Sequence, residues 1–257
     1  MHITVTGKGP DLVMLHGWSM NNTVWHELVE KLADNYTLHL VDLPGHGQSS
    51  WQQGDFDLAV LLENLAAKLP AQAYFVGWSL GGLVSLAFAH RFPARVAKLI
   101  LLAATPCFVQ AEDWSCAMQA DVFHEFADKL EENQSETLQR FLALQARGSK
   151  QGRETIKALS ERVSLVQAPH HEALKAGLNI LISKDLRTEL ADINCPVKMV
   201  LGERDTLIPN DMMIFARQLN PDIETVLLSG AGHAPFISHL EECQHAINQF
   251  FTRVSHD

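Results

Sequence analysis

The chain predicts an α/β fold: a mostly parallel central sheet covered by helices on both faces, interrupted by a block of helices. Three observations carry this. Strand-like and helix-like stretches alternate over residues 2–105 and again after Pro196, and the strand stretches are apolar at successive positions, as strands covered on both faces are. Between about Pro106 and Leu190 the alternation stops and apolar residues recur at helical spacing instead. Finally, Gly77-Trp78-Ser79-Leu80-Gly81 stands between an apolar run, residues 73–76, and a helical pattern stopped by Pro93.

Taken in order, residues 2–6 and 11–15 read as strands joined by Gly7-Lys8-Gly9-Pro10, a run of turn formers. The second leads into His16-Gly17-Trp18. A helix follows, with Asn22 as N-cap and Val24, Leu28 and Leu32 on one face. Residues 36–41 form the next strand, which ends in the Pro- and Gly-dense turn of residues 42–49. Asp57 caps a helix in which Leu58, Leu61, Leu62, Leu65 and Leu69 repeat at helical spacing. The strand, turn and helix around Ser79 come next, then a strand over 96–103. In the inserted block, Val122, Phe126 and Leu130 mark one helix, Leu138, Phe141 and Leu142 a second, Ile156, Leu159 and Val163 a third, and Leu174, Leu178 and Leu181 a fourth. The sheet resumes over 197–201. A helix near 210–219, a strand over 224–228, the turn Gly230-Ala231-Gly232-His233 and a helix over 240–251 complete the chain. The expected division is a core of residues 1–105 and 191–257 with a helical lid, 106–190, inserted after the sixth strand.

A chain of 257 residues that is 47% hydrophobic and 19% charged suits one large soluble domain, or a domain carrying an insertion. No apolar stretch is long enough to span a bilayer, and no basic segment with an apolar core opens the sequence, so neither a membrane span nor a secretory signal is expected. Cys107, Cys116, Cys195 and Cys243 are scattered without a Cys-x-x-Cys, which favours reduced cytosolic thiols over a disulfide framework or a zinc site. A formal charge of −10 argues against general nucleic-acid binding.

Strand, Gly-x-Ser-x-Gly and helix together form a nucleophile elbow, a sharp turn that lifts a serine hydroxyl clear of the sheet. A serine hydroxyl is a poor nucleophile at neutral pH and needs a base, and that base needs a partner to hold its tautomer. In this architecture the chain order is Ser, acid, His, and Ser79, Asp205 and His233 fit it, each just after a strand. Among 13 histidines, His233 alone follows both Ser79 and a strand in a glycine-flanked loop. His26, His39, His90, His124, His170, His171, His239, His245 and His256 read as surface or packing residues, and His16 and His46 as shapers of their loops. Asp42 ends a strand on the wrong side of Ser79 and is better read as capping the Pro-Gly turn. Asp192 precedes its strand. An oxyanion hole needs two backbone donors: Leu80, after the nucleophile, and Trp18, after the His16-Gly17 strand.

These motifs, Leu15-His16-Gly17-Trp18, residues 42–49, Gly77-Trp78-Ser79-Leu80-Gly81-Gly82 and Gly232-His233, resemble the α/β-hydrolase superfamily over the whole chain. More narrowly, Arg140-Phe141-Leu142-Ala143-Leu144-Gln145 and Ala234-Pro235-Phe236-Ile237-Ser238-His239 resemble the pimeloyl-[acyl-carrier protein] methyl ester esterases of biotin synthesis. A shorter amino-terminus is the one departure. The resemblance implies an α/β-hydrolase fold and a serine esterase whose triad is Ser79, Asp205 and His233. It implies substrate contacts at Trp18, Ser79, Leu80, Phe141, Leu142, Ala143, Leu144, Gln145 and His233. It further implies a cytoplasmic monomer without cofactor or metal, whose partner is the acyl carrier protein bearing the pimeloyl methyl ester.

Charge supports that partner. Over residues 140–162, Arg140, Arg147, Lys150, Arg153, Lys157 and Arg162 face only Glu154 and Glu161, a basic stretch in an acidic chain that suits an acidic protein or a phosphate. Arg140, Arg153 and Lys157 are the first candidates for docking. Two other readings stand beside the esterase: a broad small-ester or carbon–carbon bond hydrolase of the same fold, and a ligand-binding receptor on a hydrolase scaffold. Dehalogenases and epoxide hydrolases are disfavoured, since they place Asp where this chain has Ser79.

Overall fold

Leu12, Val13, Met14 and Leu15 are all fully buried, as are Leu99 to Leu102, so side chains on both faces of these strands meet protein. In the computed structural model, which describes residues 1–253, they belong to a seven-stranded sheet. Its strands are β1 (His2–Gly7), β2 (Asp11–Leu15), β3 (Thr37–Asp42), β4 (Ala73–Trp78), β5 (Val96–Leu102), β6 (Val197–Gly202) and β7 (Glu224–Leu228), in the order β1-β3-β2-β4-β5-β6-β7. Only β1 runs antiparallel, pairing with β3 from His2↔Asp42 to Gly7↔Thr37; the other pairings are parallel. His256 lies outside the described residues.

From β2 the chain steps one way to β3 and the other way to β4, so β2 and β4 flank the point where the winding reverses. Ligand sites in open parallel sheets form at the carboxyl ends of strands at such a point. Leu15 pairs with Gly77, which sets His16-Gly17-Trp18 beside Trp78-Ser79.

The helices are α1 (His26–Leu32), α2 (Leu58–Ala66), α3 (Leu80–Arg91), α4 (Ala120–Glu132), α5 (Gln134–Gln145), α6 (Gly152–Val163), α7 (His171–Ser183), α8 (Arg187–Ala191), α9 (Met212–Leu219), α10 (Pro235–Ser238) and α11 (Leu240–Thr252). Every residue from Leu80 to Ala89 of α3 is buried, in keeping with a helix apolar all round that packs against β2, β4 and β5. α11 closes the opposite face: Lys98 of β5 donates to the carbonyls of Phe250 and Arg253 at its end, while the fully buried Lys198 of β6 pairs with Glu224 at 3.1 Å.

Two sequence expectations need correction. The insertion follows the fifth strand, not the sixth: five strands precede Pro106, and β6 is laid down only after the inserted helices. The cap of the first helical segment is Asn21, not Asn22. A 3-10 turn, Asn22–Trp25, precedes α1, and Asn21 Oδ1 accepts from Thr23 N at 2.9 Å. Asn22 is committed elsewhere, its N–H to Asp42 Oδ1 at 2.7 Å and its side chain to Thr4. Asp57 caps α2 as expected, accepting from Ala59 N.

Helices α4 to α7 lie over the carboxyl ends of the strands. α6 is fastened where Thr23 Oγ1 donates to the Arg162 carbonyl and Arg162 pairs with Glu27 of α1. α7 is fastened at its start, where His170 N donates to Gly45 O at 2.8 Å. α8 instead packs against α3 and α9.

Candidate active site

The turn after β4 leaves no room for a side chain at its glycines. A Cβ at Gly77 would stand 2.4 Å from the Gly81 carbonyl oxygen, and one at Gly81 only 2.3 Å from that of Leu15. Between them Ser79 is forced to φ 54°, ψ −118°, a left-handed conformation costing of order 1–3 kcal/mol for a residue with a Cβ. The surroundings hold it there: Ser79 N donates to Leu102 O, and Gly82 and Leu83 N donate to Ser79 O.

His233 Nε2 lies 3.0 Å from Ser79 Oγ, and His233 Nδ1 lies 2.7 Å from Asp205 Oδ2. The other carboxylate oxygen, Oδ1, accepts from the N–H groups of Leu207 and Ile208 at 2.8 and 3.0 Å, so Asp205 presents one oxygen only to the imidazole. His233 is held at both ends of its backbone: its N–H donates to the Gln145 carbonyl at 2.9 Å, and its own carbonyl accepts from Trp78 Nε1 at 2.8 Å. All three side chains are buried, Ser79 being 4% exposed. The arrangement is that of a nucleophile, a base and an orienting acid.

Gly17 abuts the serine, for a Cβ there would stand 3.2 Å from Ser79 Cβ. The next N–H along, that of Trp18, and the Leu80 N–H donate to no protein acceptor among the described residues, so both are free beside the serine. His16 holds the Gly17–Trp18 peptide in place. The Gly17 carbonyl lies 2.8 Å from His16 Nδ1 and also accepts from Met20 N. Since His16 Nε2 accepts from Leu43 N, Nδ1 carries the proton. With its carbonyl engaged twice, this peptide cannot rotate. His46 packs against His16, 5.3 Å between ring centroids, with Nδ1 on the Pro44 carbonyl. Burial pushes His16 down to about 4, and burial beside His16 pushes His46 down to about 3, so both rings are neutral. Asp42 does cap the turn after β3, with Oδ2 accepting from Gln48 N.

The segment from Phe141 to Gln145 divides between two sides of α5. Phe141 is buried and meets the Trp18 ring edge-on at 4.7 Å. Gln145 is buried beside His233, its Oε1 without a partner among the described residues. Leu142 and Leu144 are half-buried and Ala143 is exposed. Ala143 and Leu144 border a groove of about 930 Å3 between α4, α5 and α6, which Arg140, Arg147, Lys150 and Arg153 also line and which Ser79 and His233 do not reach. Lys157 is not part of that groove and lies 3.8 Å from Glu161, while Arg140 engages Glu125.

Two contributors escaped the sequence reading. Trp78 anchors the His233 loop through its indole N–H, for which a bulky aromatic inside a glycine turn was the available signal. The Gln145 carbonyl, a main-chain group, leaves none.

This fold and site define the α/β hydrolases, and residues 10–240 match the family model for the alpha/beta hydrolase fold; the chain belongs to that family. Within it, the chain is 42% identical over 255 residues to the pimeloyl-[acyl-carrier protein] methyl ester esterase of Stenotrophomonas maltophilia (strain K279a), covering 99% of this chain and 98% of that one. It is likewise 42% identical over 256 residues to the protein of that name from Xylella fastidiosa (strain M12), covering 99% and 100%. Among solved structures, an esterase from Exiguobacterium antarcticum superposes with a TM-score of 0.88 at 21% identity, covering 98% of this chain and 95% of that one. A bromoperoxidase from Bacillus anthracis does so at 0.87 and 18%, covering 98% and 95%. At such identities the structures establish the fold.

Proposed function

We propose that this chain is a serine carboxylesterase that hydrolyses the methyl ester of pimeloyl-[acyl-carrier protein] to the free carboxylate and methanol. The observation that carries the reading is the hydrogen-bonded row Ser79–His233–Asp205 in a chain matching the named esterases end to end.

In this reading His233 Nε2 takes the proton of Ser79 Oγ as the oxygen attacks the ester carbonyl. The charge gathering on the carbonyl oxygen falls to the N–H groups of Trp18 and Leu80. His233 returns the proton to the departing methoxide, and methanol leaves an acyl-serine. Water, deprotonated by the same imidazole, releases the acid. Asp205 keeps the proton-bearing Nδ1 turned away from the serine and stabilises the imidazolium. No step calls on a cofactor.

Phe141 and Gln145 are the best supported substrate contacts of the lid segment, because they reach Trp18 and His233; Ala143 borders the outer groove. For the carrier protein, the groove favours Arg140 and Arg153 and adds Arg147 and Lys150. Lys157 has a weaker claim. The reading includes a cytoplasmic monomer. No helix of the described residues is long and apolar enough to cross a membrane.

The test is methanol release from pimeloyl-carrier-protein methyl ester by wild type and Ser79→Ala. Wild type turns over and the variant falls by about a thousandfold or more. Equal rates would overturn the assignment.

A further inference from the structure

The geometry points to Gly177, in the interior of α7, as a positioning residue for the oxyanion-binding loop. This rests on the esterase chemistry proposed above.

Glycine in mid-helix costs roughly 0.5–1 kcal/mol relative to alanine, so its place in α7 asks for a reason. The reason is Trp18. A Cβ at 177 would stand 3.1 Å from Trp18 Cδ1, 3.5 Å from Trp18 Nε1 and 3.3 Å from Leu80 Cδ2. Three residues earlier on the same helical face, the Leu174 carbonyl accepts the Trp18 indole N–H at 2.8 Å. α7 therefore carries a seat shaped for one indole: a carbonyl for its nitrogen and a hollow for the adjoining ring edge. Phe141 of α5 closes on the same ring.

The two side chains that fill this hollow belong to Trp18 and Leu80, the residues whose N–H groups are left free beside Ser79. The loop needs an outside hold, because Ser19, next after Trp18, sits at φ 63°. His16 fixes the peptide from the sheet side; the seat on α7 fixes the side chain from above. A methyl group at 177 has to push the indole and Leu80 away by a few tenths of an ångström, and both donors move with them.

The experiment is steady-state hydrolysis of p-nitrophenyl acetate by Gly177→Ala, Trp18→Phe and the double variant, with melting temperatures. In Gly177→Ala, kcat falls about tenfold or more while KM stays within about twofold, and the melting temperature shows that the variant is folded at the assay temperature. Phenylalanine at 18 has no indole nitrogen and a smaller ring, so the double variant matches Trp18→Phe within about twofold. The inference is overturned if Gly177→Ala keeps kcat within about twofold of wild type, or if the double variant falls about tenfold below Trp18→Phe. The second comparison decides the matter even if Gly177→Ala alone does not fold. Ser79→Ala, run alongside, separates the two ideas: its loss of activity beside an unaffected Gly177→Ala overturns the seat and leaves the esterase reading standing.

Discussion

His16 shows how one buried ring serves both geometry and stability. Both its nitrogens are engaged, and neither it nor His46 takes up a proton in the fold until the pH is far below that of an unfolded histidine, near 6.5. The sign follows: between about pH 6.5 and 4 the unfolded chain holds a proton on each that the folded chain refuses, so acid favours unfolding. This contribution is complete above about pH 6.5 and shrinks by about 1.4 kcal/mol per pH unit for each histidine as the pH falls, until about pH 4 for His16 and about pH 3 for His46. Urea unfolding at about pH 7 and about pH 5 should show the loss, and His46→Gln should flatten the slope by about one proton. A wild-type stability unchanged between those pH values contradicts the assignment. Ser79, Asp205 and His233 were legible at this scale because chain order, strand ends and glycine flanks select them. What was illegible is main-chain chemistry. Gln145, Leu174 and Gly177 act through a carbonyl, a carbonyl and a missing methyl, none of which side-chain patterns report.

Among the elements, α6 packs on the core through the buried Leu159 and against α10, and its polar ties to the segment around α1 are the half-buried Arg162–Glu27 pair and the Arg162 carbonyl. Arg162→Met keeps the alkyl stem and removes the partner of Glu27, whose Oε2 already has no hydrogen bond among the described residues. The expected cost is about 1–2 kcal/mol of unfolding free energy, read by chemical denaturation, and Glu27→Gln beside it should restore part of the loss. No change in either variant would mean that α6 is held by packing alone. Helical spacing identified α4 to α7, though not the short α8, yet it did not tell which side of α5 meets the site. Phe141 and Leu142 are both apolar; only the position of Trp18 decides that Phe141 turns inward. The misplaced cap has a similar cause. Asn21 and Asn22 are equal candidates locally, and Asp42, about twenty positions on, chooses between them by binding the Asn22 N–H.

For the molecule as a whole, charge is distributed unevenly. A chain of −10 bears a groove with four basic residues against Glu125 and Glu154. If an acidic carrier docks there, raising salt from about 50 to about 500 mM should lower kcat/KM for the carrier-linked ester and leave p-nitrophenyl acetate unaffected. Arg147→Glu with Lys150→Glu should act the same way, and equal losses on both substrates would sink the docking assignment. The alternating pattern foretold the convergence of strand ends, and the reversal of winding between β2 and β4 supplies its reason. Ser79 and His233 are separated by 154 positions, with the whole insertion, β6 and β7 between them. A chain still emerging from the ribosome displays the elbow long before its base and acid exist. Contacts of such long range also form late in folding. In the esterase reading the nascent protein is thus chemically silent until its last strand has docked, and an amino-terminal fragment that ends before His233 has no base for Ser79.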